Sequence, residues 1–571
     1  MESKIVIYQV LPRLFSNMTA DCVPNGTLAR NGVGKMNDFT PKVLREIKQL
    51  GVTHVWYTGL LEHATKTDYT AYGIRRDNPY VVKGEAGSPY AVKDYYDIDP
   101  DLAVDVTRRK EEFEELLART HDAGLKVLMD FIPNHVARQY HSDAKPEYVS
   151  DLGEHDDKEK FFSPQNNFYY IPRQLFSPHV YLGEGADAYY EFPAKVTGND
   201  CFHAYPGEND WYETVKLNYG VDFFGGISCH FDPVPDTWHK MLEILLYWSE
   251  KGVDGFRCDM AHMVPVEFWN WAITRIKERF PQVIFIAEIY DQALYRSYIQ
   301  VGKFDYLYDK VGLYDKLRSV VCHNVSAAQI TYCWQAVDGI NDKMLYFLEN
   351  HDEQRIASRQ FAGDPFKAIP ALIVSATMHT GPLMIYFGQE LGEPAADAEG
   401  FSGLDGRTTI FDYWSVPTVR QWYNGGTCSV AGLSPAQKTL RNTYKKILTV
   451  VNREPAIARG GFFDLMYVNC DTPLFAPHTQ YAYLRYDGDD LLLIVVNFDN
   501  KPATVGVNIP RHAFDHIGIE PGMREWKELL AGYNISKELS PEKPFVCDVP
   551  AWGAAILKTT VKKSSQKRNK K

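Results

Sequence analysis

Short apolar runs alternate with longer amphipathic ones eight times along this chain, and that alternation restricts the fold more than any other feature. Ile5–Leu11, Val52–Leu60, Leu125–Phe131, Val253–Cys258, Val283–Ala287, Phe304–Tyr308, Met344–Leu348 and Leu383–Phe387 read as strands. Between them, Thr40–Leu50 (closed by Gly51), Arg108–Ala123 (closed by Gly124), Thr237–Lys251 and Pro265–Phe280 have helical spacing. Eight strands separated by helices have the period of an α/β fold of the (β/α)8 TIM-barrel type.

Two stretches break the period. Residues 136–236 separate the third strand from its helix, too long an interval for a structureless loop, and predict an inserted domain. The insert is rich in rings, among them Phe161, Phe162, Phe168, Tyr169, Tyr170, Tyr189, Tyr190, Phe192, Trp211 and Tyr212. Beyond about residue 475 the runs become short and β-forming, as in Tyr481–Tyr486, Leu491–Phe498 and Ala503–Ile509, with Asp-Gly and Asp-Asn turns between them. The expected layout is a barrel over 1–135 and 237–474, the insert over 136–236, and a C-terminal β-sandwich over 475–560. The tail 561–571, with six Lys/Arg and no apolar periodicity, is expected to be disordered. A chain of 571 residues has room for these units.

A net charge of −12 argues against nucleic acid as a partner and leaves a neutral or cationic ligand open. The 36 Tyr and 11 Trp suit the apolar faces of sugars, although cores use such rings as well. Nine cysteines are scattered singly, as in a reducing compartment, and the N-terminus lacks the basic start and apolar core of a signal peptide. A cytoplasmic protein is expected. The longest apolar region, Ala368–Gly388, is broken by Pro370, His379, Thr380, Gly381 and Pro382, so it reads as a buried helix and strand without membrane contact.

Barrel active sites lie at the C-terminal ends of the strands. In Gly255-Phe-Arg257-Cys258-Asp259-Met-Ala-His262, Arg257 and Asp259 share one strand face, with Cys258 on the other. A guanidinium beside a carboxylate keeps it ionised, as a nucleophile must be; a structural ion pair is the alternative. Other strand ends carry Asp130-Phe-Ile-Pro-Asn134-His135, Glu288, and Glu349-Asn350-His351-Asp352. Carboxylates crowded in one cleft cannot all stay ionised easily, and a paired anion beside a protonated acid is what glycoside cleavage needs. Neutral His135 and His351 would donate hydrogen bonds to hydroxyls. A metal site is the chemical rival; the absence of HxH or HxxxH spacing and the presence of Arg257 count against it.

These segments resemble the four signature regions of the α-amylase family, glycoside hydrolase family 13. Lys216-Leu-Asn218 is similar to the family's additional motif in the insert, and Gly87-Ser-Pro-Tyr90 to the segment whose tyrosine stacks on the sugar. Gly406-Arg-Thr-Thr-Ile-Phe-Asp-Tyr-Trp414 resembles a segment of bacterial members. The resemblance spans most of residues 1–560. It implies Asp259 as nucleophile, Glu288 as general acid and base, and Asp352 as the group that grips the distorted sugar. It further implies that Arg257 keeps Asp259 charged, that His135 and His351 bind hydroxyls, and that Tyr90 stacks. The implied activity is retaining cleavage of α-1,4 links in starch, glycogen or maltodextrins through a covalent intermediate. A 4-α-glucanotransferase or an exo-acting α-glucosidase relative is the alternative, and a catalytically silent glycan-binding protein is the alternative of another class. Asn134 matches a calcium ligand of many members, but no cofactor is expected to be required. Where many amylases carry Lys-His after the nucleophile, this chain has His262-Met263, which leaves His262 open between acceptor binding and a structural role. Oligomeric state is left open.

Overall fold

Eight parallel strands close into a barrel in chain order: β1 (Val6–Val10), β2 (His54–Tyr57), β3 (Lys126–Phe131), β4 (Gly255–Cys258), β5 (Ile284–Ala287), β6 (Tyr306–Tyr308), β7 (Met344–Phe347) and β8 (Leu383–Tyr386), with β8 returning to β1. The computed structural model describes residues 4–224, 226–397, 400 and 403–561. Every residue of β1, β2, β4, β7 and β8 is buried, as a sheet covered on both faces requires. Each strand falls within the run expected for it.

The helices start and stop on local signals. Helix α1 (Pro41–Gln49) opens with Pro41 in the first turn and Thr40 as cap, its hydroxyl accepting from Val43 N. Helix α2 (Arg109–Asp122) ends at Gly124, where φ is +71° and the amide donates to His121 O at 2.7 Å. Helices α3 (Asp236–Glu250) and α4 (Val266–Arg279) flank β4 and bury Trp238, Trp248 and Trp269 against the barrel.

Two excursions leave the barrel at the C-terminal ends of the strands. The one after β3 pairs His135–Ala137 with Thr214–Lys216 and has a small core of its own around Tyr169, Ile171, Phe176 and Val196. The other, after β2, was not anticipated from the sequence; it pairs Leu61–His63 with Val92–Ile98 and carries Lys83 and Tyr90. The C-terminal unit has a six-stranded antiparallel sheet and a two-stranded one. Its first strand is Gly461–Asp464, which pairs with Gln480–Asp487, so the sheet begins ahead of the expected residue 475. Val561 is buried and donates to Asp489 O at 2.7 Å, and the rest of the expected tail lies outside the described residues. Among the described residues, no helix is long and apolar enough to cross a membrane.

Candidate active site

The register of the barrel assembles the site. Arg257 on β4 sits opposite Asp130 on β3 and Ile286 on β5, so its side chain enters the barrel mouth between two strands that end in acids. Its Nη1 donates to Asp259 Oδ1 at 2.7 Å, and its Nη2 lies 2.8 Å from Glu288 Oε2. One guanidinium therefore bridges both carboxyl groups, with Asp130 Oδ1 a further 3.8 Å contact. Trp56, Tyr90 and Tyr308 place their rings 5.3–5.5 Å from the guanidinium carbon. Arg257 is buried and does not itself line the cavity, and it holds the acids that do.

The cavity, about 360 Å³, is lined by Asp259, Glu288, Asp352, Tyr90, His135 and His351. Asp259 Oδ2 is buried and makes no hydrogen bond within the protein, while Oδ1 is held by Arg257. Glu288 accepts from Met260 N at 2.9 Å and from Tyr290 Oη at 2.6 Å. Asp352 Oδ2 lies 3.0 Å from His351 Nε2, which also meets Tyr90 Oη at 2.6 Å. Gln9 of β1 donates to the other ring nitrogen of His351 at 2.8 Å, and Tyr90 stacks on that ring. The histidine is thus fixed from three sides.

Burial pushes the Asp259 carboxyl up, Arg257 pulls it back, and the net shift is upward. Glu288 is also raised: burial dominates, Arg257 opposes it, and the charge of Asp259 adds to the rise. Asp352 goes the other way. Burial pushes it up, but His351, Arg257 and Arg407 together outweigh that and hold it below the usual carboxylate range. Burial, reinforced by Lys216, lowers His135 to about 3, so its ring is neutral, in line with a hydroxyl-binding role.

Two predicted residues stand apart. His262 is not on the cavity wall; its ring centroid is 6.5 Å from that of Tyr290, and its carbonyl accepts from Tyr298 Oη at 3.3 Å. Asn134 is buried behind His135. Its Nδ2 donates to Gly198 O at 2.7 Å and its Oδ1 accepts from the Lys216 ammonium at 2.9 Å, with Asp200 completing the ion pair. An ammonium already fills the position, and an amide donor faces the neighbouring carbonyl. That set does not fit a hard cation, which needs several free oxygens.

Several residues of the site escaped sequence reading. Tyr290 follows Glu288 by two positions, and Gln9 is a polar residue inside an apolar strand; both carried a readable signal. Lys83 and Glu213 also line the cavity, one from each excursion, as does Phe411 from the segment after β8, and no local pattern connects the three. Of the insert rings singled out earlier, Trp211 alone lines the cavity; Phe168, Tyr169 and Tyr170 are buried in cores instead.

The α-amylase catalytic-domain family model matches residues 9–410. An alpha-amylase of Dictyoglomus thermophilum is 24% identical over 476 residues, covering 80% of this chain and 78% of that protein. A cyclomaltodextrinase of Geobacillus thermopakistaniensis is 21% identical over 440 residues; the match covers 75% of this chain and 60% of that protein. The solved structure of the maltogenic alpha-amylase AmyB from Thermotoga neapolitana superposes with a TM-score of 0.62 at 19% identity, covering 98% of this chain and 99% of that one.

Proposed function

This chain belongs to the α-amylase family of glycoside hydrolases, and we propose that it cleaves α-1,4-glucosidic bonds of starch, glycogen or maltodextrins with retention of configuration. The observation that carries the reading is the bridge made by Arg257. It holds Asp259 Oδ1 and contacts Glu288, and it leaves Asp259 Oδ2 unpartnered on the cavity wall. Two carboxyl groups tied to one guanidinium favour the closer of the two spacings used by glycosidases, the one that accompanies a covalent intermediate.

In the first step Asp259 Oδ2 attacks the anomeric carbon, the bond to the leaving oxygen breaks, and the Glu288 proton moves to that oxygen. In the second, water attacks the same carbon, its proton goes to Glu288, and Asp259 is released as the carboxylate. Burial raises Glu288, the direction that suits a proton donor. Asp352, ionised and fixed by His351, accepts from the hydroxyls of the distorted ring. Neutral His135 and the stacked Tyr90 hold its other face. Asp259→Asn should abolish turnover of a maltooligosaccharide, and trapping with a 2-deoxy-2-fluoro glucosyl donor should label Asp259 in peptide mapping. Labelling of another residue would overturn the assignment.

The reading needs no metal at Asn134, since the Lys216 ammonium and Asp200 supply the charge pair there. Chelator should leave kcat unchanged; loss of activity restored by added calcium would contradict this. The single, dispersed spacing of the nine cysteines supports a reaction in a reducing compartment. Recovery of the native protein outside the cytoplasm would reject that placement.

A further inference from the structure

The two oxygens of the Glu288 carboxyl group have different surroundings. The main chain of Glu288 is tied at both polar groups to the segment that ends β4: its amide donates to Cys258 O at 3.1 Å, and its carbonyl accepts from Ala261 N at 3.1 Å. Oε2 accepts from Met260 N at 2.9 Å and has Arg257 Nη2 at 2.8 Å. Met260 directly follows Asp259 and has left-handed backbone (φ 43°, ψ 42°), a conformation that side chains of its size seldom adopt. Oε1 has another partner, the Tyr290 hydroxyl, at 2.6 Å. Tyr290 stands two residues beyond Glu288, and both line the cavity.

A protonated carboxyl group carries its proton on one oxygen. Oε2 already meets an amide donor and a guanidinium, so a proton there would face two donors; the transferable proton belongs on Oε1. A length of 2.6 Å fits an O–H donor on a charged oxygen, about 2.5–2.7 Å. Burial, then the charges of Glu288 and Asp352, push the Tyr290 phenol well up, so it keeps its own proton and remains a donor. Its ring lies 6.5 Å from that of His262 between centroids. On Glu288, burial together with Asp259 and Asp352 favours the protonated form, whereas Arg257 and the Tyr290 hydrogen bond favour the ionised one. His135 and Tyr308 also lie within the field of Glu288.

We propose that Tyr290 is a positioning residue for the acid: Glu288 gives up its proton from Oε1, and the Tyr290 hydroxyl donates to that oxygen as negative charge forms on it. The Oε1–H bond breaks and an O–H bond forms on the leaving oxygen. The carboxylate left behind is held by Tyr290, Met260 N and Arg257 until water returns a proton to Oε1 in the second step. The inference rests on the α-glucan reading with Glu288 as acid, and adds the group that readies this acid to release its proton.

The test is Tyr290→Phe, which keeps the ring and removes the hydroxyl. Its kcat/KM on maltoheptaose should fall about 10-fold or more, the worth of a hydrogen bond to a charged group. On α-glucosyl fluoride, whose leaving group needs no proton, kcat/KM for fluoride release should stay within about 2-fold of wild type, which also shows that the variant is folded. The basic limb of the kcat/KM profile on maltoheptaose should move to higher pH by about half a unit or more, because Glu288 without this donor holds its proton longer. Equal losses on the two substrates, or an unmoved basic limb, would overturn the role of Tyr290 and leave the α-glucan reading standing. Absence of maltoheptaose cleavage by the wild-type enzyme would overturn the α-glucan reading, and the role of Tyr290 with it.

Discussion

At the scale of single residues, the protonation of the site is a contest between burial and one guanidinium. Burial raises Asp130, Asp259 and Glu288, and Arg257 opposes it at each. Replacing Arg257 by Met removes the opposing charge, so the nucleophile stays protonated to a higher pH. The acid limb of the pH profile of kcat/KM should move upward, and kcat at neutral pH should fall by about 100-fold or more. An unmoved acid limb would mean that Arg257 acts by packing alone. Glu288→Gln should be severely impaired on maltooligosaccharides yet recover its first step with α-glucosyl fluoride, whose leaving group needs no proton. Asp352→Asn should not be rescued that way, because its contribution is to binding the transition state. The acids were legible in the sequence because each follows an apolar strand in a recognisable motif. Arg257 was legible as a partner of Asp259, but its bridge to Glu288 depends on the register between β4 and its neighbours.

The elements show where local signals suffice. Caps and closing glycines fixed α1 and α2 to within a residue or two, since those signals act over a single turn. The pairing of Leu61–His63 with Val92–Ile98 was invisible, because the first strand has three residues and both carry acids on buried faces. Glu62, Asp94 and Asp97 gather there, with Lys93 Nζ 3.5 Å from Glu62 Oε1 and Arg109 holding Asp97. Burial pushes the Glu62 carboxyl up to about 9; Lys93 opposes this, and the nearby Asp94, Asp97 and Asp77 add to it. A folded value above the unfolded one, about 4.3, means that stability from this group is fully present in acid. It is lost as pH rises through that interval to about 9. Glu62→Gln removes the titration, so its Tm advantage over wild type should grow between pH 5 and pH 9. A pH-independent difference measured by calorimetry would contradict this. The insert gives the same lesson in reverse: its many rings are read easily, but composition does not say which pack inward.

For the whole molecule, the barrel was legible because eight buried strands repeat one pattern, whereas the edge of the C-terminal sheet was not. Gly461–Asp464 is four residues long and carries two adjacent phenylalanines, so no alternation marks it as a strand. The two units are joined at Arg485, whose guanidinium donates to the carbonyls of Ala456, Met378, Ile457 and Gly460. Arg485→Met leaves those acceptors unpaired, at a cost of about 1–3 kcal/mol each where water cannot replace the donor. Thermal unfolding of that variant should start at a lower temperature or split into two transitions; an unchanged single transition would mean that Arg485 is not needed to join the units. In the proposed mechanism, the arrangement of barrel, insert and rim matters because it lets Asp259 and Glu288 act together on one glycosidic bond. The most direct test of that claim is the anomeric form of the first product, followed by proton NMR during early hydrolysis of a maltooligosaccharide. Double displacement through Asp259 predicts that the α-anomer appears first and mutarotates later; a β-anomer at the earliest times would mean direct attack by water, and the roles given to Asp259 and Glu288 would fall.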